Sequence, residues 1–71
     1  MLMKFKELDT VQTTTDFFEY GIAKGDIGAI VVAFTYPKEA YEIEFVNDDG
    51  TRKAMFAIGP EDLEKIYDRK K

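Results

Sequence analysis

The stretch Gly21-Ile22-Ala23-Lys24-Gly25-Asp26-Ile27-Gly28-Ala29-Ile30-Val31-Val32 decides how this chain folds. Glycines at 21, 25 and 28 punctuate an apolar, β-branched run, and Asp26 follows the second of them. Glycine reaches positive φ without a Cβ clash, so Gly21 and Gly25-Asp26 read as tight turns feeding a strand. Asp26 is placed to accept hydrogen bonds from the turn amides. The strand runs from Ile27 to Tyr36, and Gly28 within it marks a bulge or a close backbone approach. By simple alternation Ile30, Val32 and Phe34 share one face, and Val31 and Ala33 the other. A strand that is apolar on both faces belongs in the middle of a sheet.

Downstream, Pro37-Lys38-Glu39 reverses the chain, with Pro37 setting φ at the first turn corner. Tyr41-Glu42-Ile43-Glu44-Phe45-Val46 then alternates cleanly: Tyr41, Ile43 and Phe45 point to a core, Glu42 and Glu44 to water. Asn47-Asp48-Asp49-Gly50 is a hairpin connection in which the Asp-Gly pair suits positive φ. Thr51 to Ile58 returns with Ala54, Phe56 and Ile58 inward, and Gly59-Pro60 stops it. Pro60-Glu61-Asp62-Leu63 has proline and acids where a helical turn starts. Two continuations compete there. Leu63, Ile66 and Tyr67 fit a short amphipathic helix. Alternatively, one 3₁₀ turn ends at Leu63 and residues 64–67 form a last strand against the first. A barrel needs closed edges, which favours the strand. Arg69-Lys70-Lys71 reads as a frayed, solvated tail.

Upstream, Leu8 to Thr14 is a first strand with a weak apolar side, as at a sheet edge. Thr15-Asp16-Phe17-Phe18-Glu19-Tyr20 breaks the alternation and reads as a loop holding three aromatic rings before Gly21. The whole is a mainly β protein: a small five-stranded SH3-like barrel with a 3₁₀ turn near its C-terminus, in one domain over residues 1–71. Its interior takes Leu8, Val11, Ile22, Ile27, Ile30, Val32, Phe34, Tyr41, Ile43, Phe45, Phe56, Ile58 and Leu63.

Composition narrows the chemistry. Seventy-one residues make one domain, and the chain has neither cysteine nor histidine. Disulfides, thiolate metal sites, cysteine nucleophiles and histidine acid–base work are therefore outside its repertoire. No cofactor and no metal is expected, a cytoplasmic location is the default, and no membrane segment is legible. Met1-Leu2-Met3-Lys4-Phe5-Lys6 is too short and polar for a signal peptide. Ten basic against 14 acidic residues give a net charge of −4, which favours a basic partner over phosphates.

Leu8-Asp9-Thr10-Val11, the Gly21-to-Val31 segment, and Ala40-Tyr41-Glu42-Ile43-Glu44-Phe45-Val46 with Asp49-Gly50 together resemble a family of short bacterial proteins, the domain-of-unknown-function family four-nine-two-six. The resemblance runs from about Leu8 to Leu63. Members often carry a proline before Glu-His-Gly where this chain reads Phe17-Phe18-Glu19-Tyr20-Gly21. The resemblance implies a compact β-barrel and brings no catalytic residues with it. In size such proteins are similar to antitoxin or immunity proteins. The Lys24-Gly25-Asp26-Ile27-Gly28 turn also resembles ribosome- and transcription-associated barrels, and the small barrels appended to larger enzymes.

Several candidate sites remain. Gly21, Gly25 and Gly28 precede a strand and no Gly-Lys-Ser/Thr follows, so they are turn and strand glycines, not a phosphate cradle. Gly50 belongs with them as a turn former. Glu42 and Glu44 sit two residues apart on one strand face, where ion pairs with Arg52 or Lys53 are the ordinary outcome and acid–base catalysis needs burial. Asp48 and Asp49 lack the spaced ligands of a calcium loop. Phe17, Phe18 and Tyr20 exceed what so small a core can hold, so at least one ring is left at the surface, where aromatics rimmed by acids anchor partners. Another of these rings, Phe17 or Tyr20, serves equally well as a cap on the barrel's open end. These residues point to a non-enzymatic protein-binding module, antitoxin-like or immunity-like. Phe17, Phe18 and Tyr20 are its anchors, and Glu42, Glu44, Asp48 and Asp49 its steering charges. A nucleic-acid-binding barrel and an accessory domain of a larger enzyme are the alternatives. The chain is expected to be a monomer or a weak homodimer.

Overall fold

A computed structural model of the chain describes residues 2–67. The Arg69-Lys70-Lys71 tail lies outside the described residues. Five strands form one antiparallel sheet: β1 (Thr10–Thr13), β2 (Ile27–Phe34), β3 (Ala40–Val46), β4 (Arg52–Ile58) and β5 (Leu63–Lys65). Two 3₁₀ turns, Phe18–Tyr20 and Pro60–Asp62, complete the elements. The spatial order is β4-β3-β2-β1-β5, so the glycine-flanked apolar strand is indeed central. The stretch after Pro60 resolves as the 3₁₀ turn followed by a strand against β1, with Thr13 opposite Leu63 and Val11 opposite Lys65.

The sheet is not closed. No ladder joins β4 to β5 among the described residues, and closure into a true barrel is replaced by curling. Phe56 and Ile58 of β4 and Leu63 of β5 nonetheless belong to one buried cluster with Val11, Ile22, Ile30, Tyr41, Ile43 and Phe45. Two things stand in for the missing ladder. Pro60 has no N–H to offer, and its 3₁₀ turn hands the chain directly to β1, where Thr14 N–H donates to the Asp62 carbonyl at 3.0 Å. Phe17 and Tyr20 also pack on Phe56 of β4, tying the loop after β1 to that strand.

Alternation holds without exception along β3, where Tyr41, Ile43 and Phe45 are buried, and Ala54, Phe56 and Ile58 of β4 face the same core. Along β2 it fails halfway. The register shifts between Ile30 and Val32, so Val31 is an extra, bulged residue. Beyond it Val32 pairs with outward Glu42 and Ala33 with inward Tyr41. Val32 and Phe34 therefore do not share the face of Ile30; Ala33 does. Gly28 is the close approach and not the bulge. A Cβ there would lie 2.6 Å from Ile43 Cγ2 and 2.8 Å from the Glu44 carbonyl oxygen.

Four expected core residues lie outside the core: Leu8, Ile27 and Phe34 are 86%, 55% and 39% exposed, and Val32 is half-buried opposite outward Glu42. Leu8 sits at φ +76°, which turns its side chain away while its N–H still donates to the Ile30 carbonyl. The vacancy is filled by Phe5, buried against Tyr41 with ring centroids 5.3 Å apart and nearly perpendicular. Phe5 N–H donates to the Tyr41 hydroxyl at 3.0 Å, the hydroxyl donates to the Glu39 carboxylate, and Lys4 N–H donates to the same carboxylate at 2.9 Å. The segment before β1 is thereby a component of the core.

Candidate functional site

The Phe17–Tyr20 loop leaves β1 at Thr14 and is closed by a bridge between Phe17 and Ile22, with Gly21 in the left-handed region at φ +71°. Ile22 is buried, which pins the loop's exit to the core. Phe17 packs edge-on against Phe56 at 5.2 Å, and Tyr20 lies flat on Phe56 at 3.8 Å. Phe18 has no such partner among the described residues and is 80% exposed. Two rings of the trio thus cover Phe56 of the core, and the third, Phe18, is presented to solvent.

The turn into β2 is built as the sequence implies. Asp26 Oδ2 accepts from Ala23 N–H at 3.0 Å, Gly25 N–H donates to the Thr13 carbonyl at 2.8 Å, and Gly25 adopts φ +91°. The Ala23 amide, outweighing partial burial and aided by Lys53, holds the Asp26 carboxyl below its ordinary range. Lys53 Nζ lies 3.3 Å from Asp26, so this lysine pairs with the turn and not with Glu42 or Glu44. Asp49 is likewise spent locally: it accepts from Thr51 Oγ1 at 2.7 Å and Thr51 N–H at 3.0 Å, which lowers its pKa. Gly50 completes that hairpin at φ +89°.

Glu42 and Glu44 project from the sheet face opposite the core. Glu44 pairs with Arg52 at 3.2 Å; Glu42 has no ion pair among the described residues. Asp48 borders a surface hollow of about 460 Å³ that also takes in Asp26, Ile27, Val46 and Lys53. The proposed steering acids are therefore not beside the aromatic loop. The loop covers the inner side of the curled sheet, and Glu42 and Glu44 lie on its outer side. No three of Asp, Glu, His or Cys converge as metal ligands among the described residues. No helix there is long and apolar enough to cross a membrane.

The outer face holds what the sequence reading missed. Ile27 pairs with Gln12, Ala29 with Thr10 and Glu44, Val32 with Glu42, and Phe34 with Ala40. These partners face away from the core, so the outer side of β2 is an uncharged stripe. The signal was present, since a strand apolar on both faces in an open antiparallel sheet leaves one apolar face uncovered.

Over residues 7–65 the chain matches the family described as Domain of unknown function (DUF4926). The chain belongs to this family. No curated protein and no solved structure matches it. The DUF4926 match spans β1 through β5 and includes both the aromatic loop and the acidic outer face.

Proposed function

We propose that this DUF4926 protein is a non-enzymatic docking module that captures a partner protein, in the manner of an antitoxin or immunity protein. The observation that carries the reading is Phe18, an 80% exposed ring held on a 3₁₀ turn whose floor is the Phe17–Phe56–Tyr20 stack. An aromatic ring offered on a pre-ordered support loses little conformational entropy on binding, which is how anchor residues act. Its acidic balance of −4 steers it to a basic partner. The two remaining rings serve the anchor by holding it, and the acids act at long range instead of rimming it.

The test is co-expression with the product of the adjacent reading frame. Binding is measured by calorimetry on the purified pair, and growth is scored with and without this chain. Phe18→Ala is expected to weaken capture at least tenfold with an unchanged melting temperature. A neighbour that neither binds nor poisons cells, or a Phe18→Ala variant that binds as tightly as the parent, would sink the reading.

A further inference from the structure

The outer face of β2 is the largest feature that the aromatic loop leaves unexplained. Ile27, Ala29, Val31, Val32 and Phe34 run along it, with Ile27 55%, Val31 37% and Phe34 39% exposed. No charge interrupts this eight-residue strand. At the extended rise it makes a stripe about 26 Å long. Met55 and Ala57 of β4 lie beyond it, separated from the stripe by Glu44 and Glu42 of β3. Contiguous apolar surface of this kind on a small protein marks an interaction site.

The charges around the stripe decide what fits. On the β3 side it is bordered by Glu42, which has no ion pair among the described residues, and by Glu44, paired with Arg52 at 3.2 Å; its Ile27 end opens into the hollow where Asp48 stands beside the Asp26–Lys53 pair. On the β1 side the border is neutral, Thr10 and Gln12. A second copy packed face to face would bring another unpaired Glu42 into the interface, between two chains that each carry −4. Charge complementarity instead selects a cationic partner. The backbone decides the partner's form. β2 pairs with β3 along its length and with β1 over Ile27–Ala29, so it offers side chains and few free backbone groups. A ligand lying there must satisfy its own N–H and C=O groups, which an α-helix does and an extended strand does not.

We infer that the outer face of β2 receives an amphipathic α-helix of another protein, whose apolar stripe is flanked by lysine or arginine on the side that meets Glu42 and Glu44. A helix of about 17 residues spans the site at 1.5 Å per residue. This surface stands apart from the Phe18 loop and does not depend on it.

The probe is an 18-residue leucine/lysine peptide with leucines at i, i+3, i+4 spacing. It is titrated into the isotope-labelled protein and followed by amide chemical shifts. Saturable shifts at Ile27, Ala29, Val31, Phe34, Glu42 and Glu44 are expected, with residues 17–20 unmoved. Glu42→Gln combined with Glu44→Gln is expected to weaken binding at least tenfold, as is Val31→Ser combined with Phe34→Ser. The matching leucine/glutamate peptide is expected not to bind. Any of four results overturns the inference: no shifts, shifts confined to residues 17–20, equal binding of the two peptides, or concentration-dependent shifts along the stripe without peptide. The last would assign the face to a second copy. The amide spectra also show whether each variant keeps its fold.

Discussion

Tyr20 and Phe56 lie face to face, their ring planes 6° apart and their centroids separated by 3.8 Å. Phe56 is buried near the end of β4, and Tyr20 arrives on a loop between β1 and β2, so the contact folds the loop across the sheet's inner side. Together with Phe17 it covers Phe56 and ties the loop after β1 to β4. It also separates two jobs within one tetrapeptide: Phe17 and Tyr20 hold, and Phe18 presents.

That separation makes Tyr20 and Phe18 unequal in their contributions to stability. Tyr20→Ala removes a stacked aromatic pair and should cost about 1 kcal/mol beyond its lost area. Phe18→Ala should stay within about 0.5 kcal/mol of the parent, as surface substitutions do. Urea unfolding of both variants decides it. Equal losses would mean that Phe18 is also a packing residue, and its assignment as a presented anchor would fall.

Gly28 and Gly50 should fail for different reasons when changed to alanine. At Gly28 the added Cβ meets Ile43 Cγ2 at 2.6 Å and the Glu44 carbonyl oxygen at 2.8 Å. Backbone cannot swing aside as a flexible side chain can, so overpacking of about 1–3 kcal/mol is expected. Gly50 has open space around it and only its φ of +89° to lose, worth about 1 kcal/mol. Thermal unfolding separates them, at roughly 4–8 °C per kcal/mol for a chain of this size. A Gly28→Ala melting temperature within about 2 °C of the parent, well under the smallest shift expected at that rate, would contradict the close approach.

Much of the architecture was legible because it rests on local signals. The Tyr41-Ile43-Phe45 alternation, the Asp49-Gly50 hairpin and the Pro60 turn each depend on neighbours within a few residues. The Asp26 turn does too. What escaped depends on distant parts of the chain. The Val31 bulge reverses the phase of β2, and counting by twos assumes that no residue is extra. Phe5 reaches the core through Tyr41 and Glu39, more than thirty positions away, in a segment the sequence marks only as too short and polar for a signal peptide. The same holds for the rings of the candidate site. The division of Phe17, Phe18 and Tyr20 is made by Phe56, far along the chain, whereas the separation of Glu42 and Glu44 from those rings follows from the alternation of β3 once the loop is known to cover the inner face.

Asp9 predicts a loss of stability in acid. Its side chain is 8% exposed, accepts from Lys6 N–H at 3.0 Å, and lies 3.2 Å and 3.6 Å from the ammonium groups of Lys6 and Lys65. Burial alone would raise its pKa; the Lys6 amide and the two lysines outweigh it and hold the carboxyl below its ordinary 3.8. A carboxyl whose pKa is lower folded than unfolded stabilises the fold above its unfolded value. That contribution fades as pH falls through the folded value. Asp26 and Asp49 shift the same way and steepen the fall. Asp9→Asn should cost about 1–2 kcal/mol at pH 7 and much less below pH 3. Urea midpoints measured from pH 7 down to pH 2 test this, and parallel curves for parent and variant would refute it.

Tyr41 predicts the opposite limb. Its hydroxyl is taken from water by the surrounding core and donates to Glu39, whose negative charge opposes a second one beside it. Both effects raise its pKa above 10.0. A phenol that is harder to ionise when folded contributes stability that is whole below its unfolded pKa and drains away as pH climbs through the folded one. Stability should therefore fall from about pH 10 upward, with the segment around Phe5 released first, because Phe5 N–H loses its anchored acceptor when the cluster breaks. Tyr41→Phe removes the hydroxyl and leaves Phe5 N–H and the Glu39 carboxylate short of a partner. At pH 7 it should cost about 1–3 kcal/mol. Above pH 10 the variant should lose less with each added unit of pH than the parent does, and hydrogen exchange at Phe5 should be faster in the variant at every pH. Unchanged protection at Phe5 would show that ring packing alone, and not the hydroxyl, holds the segment against the sheet.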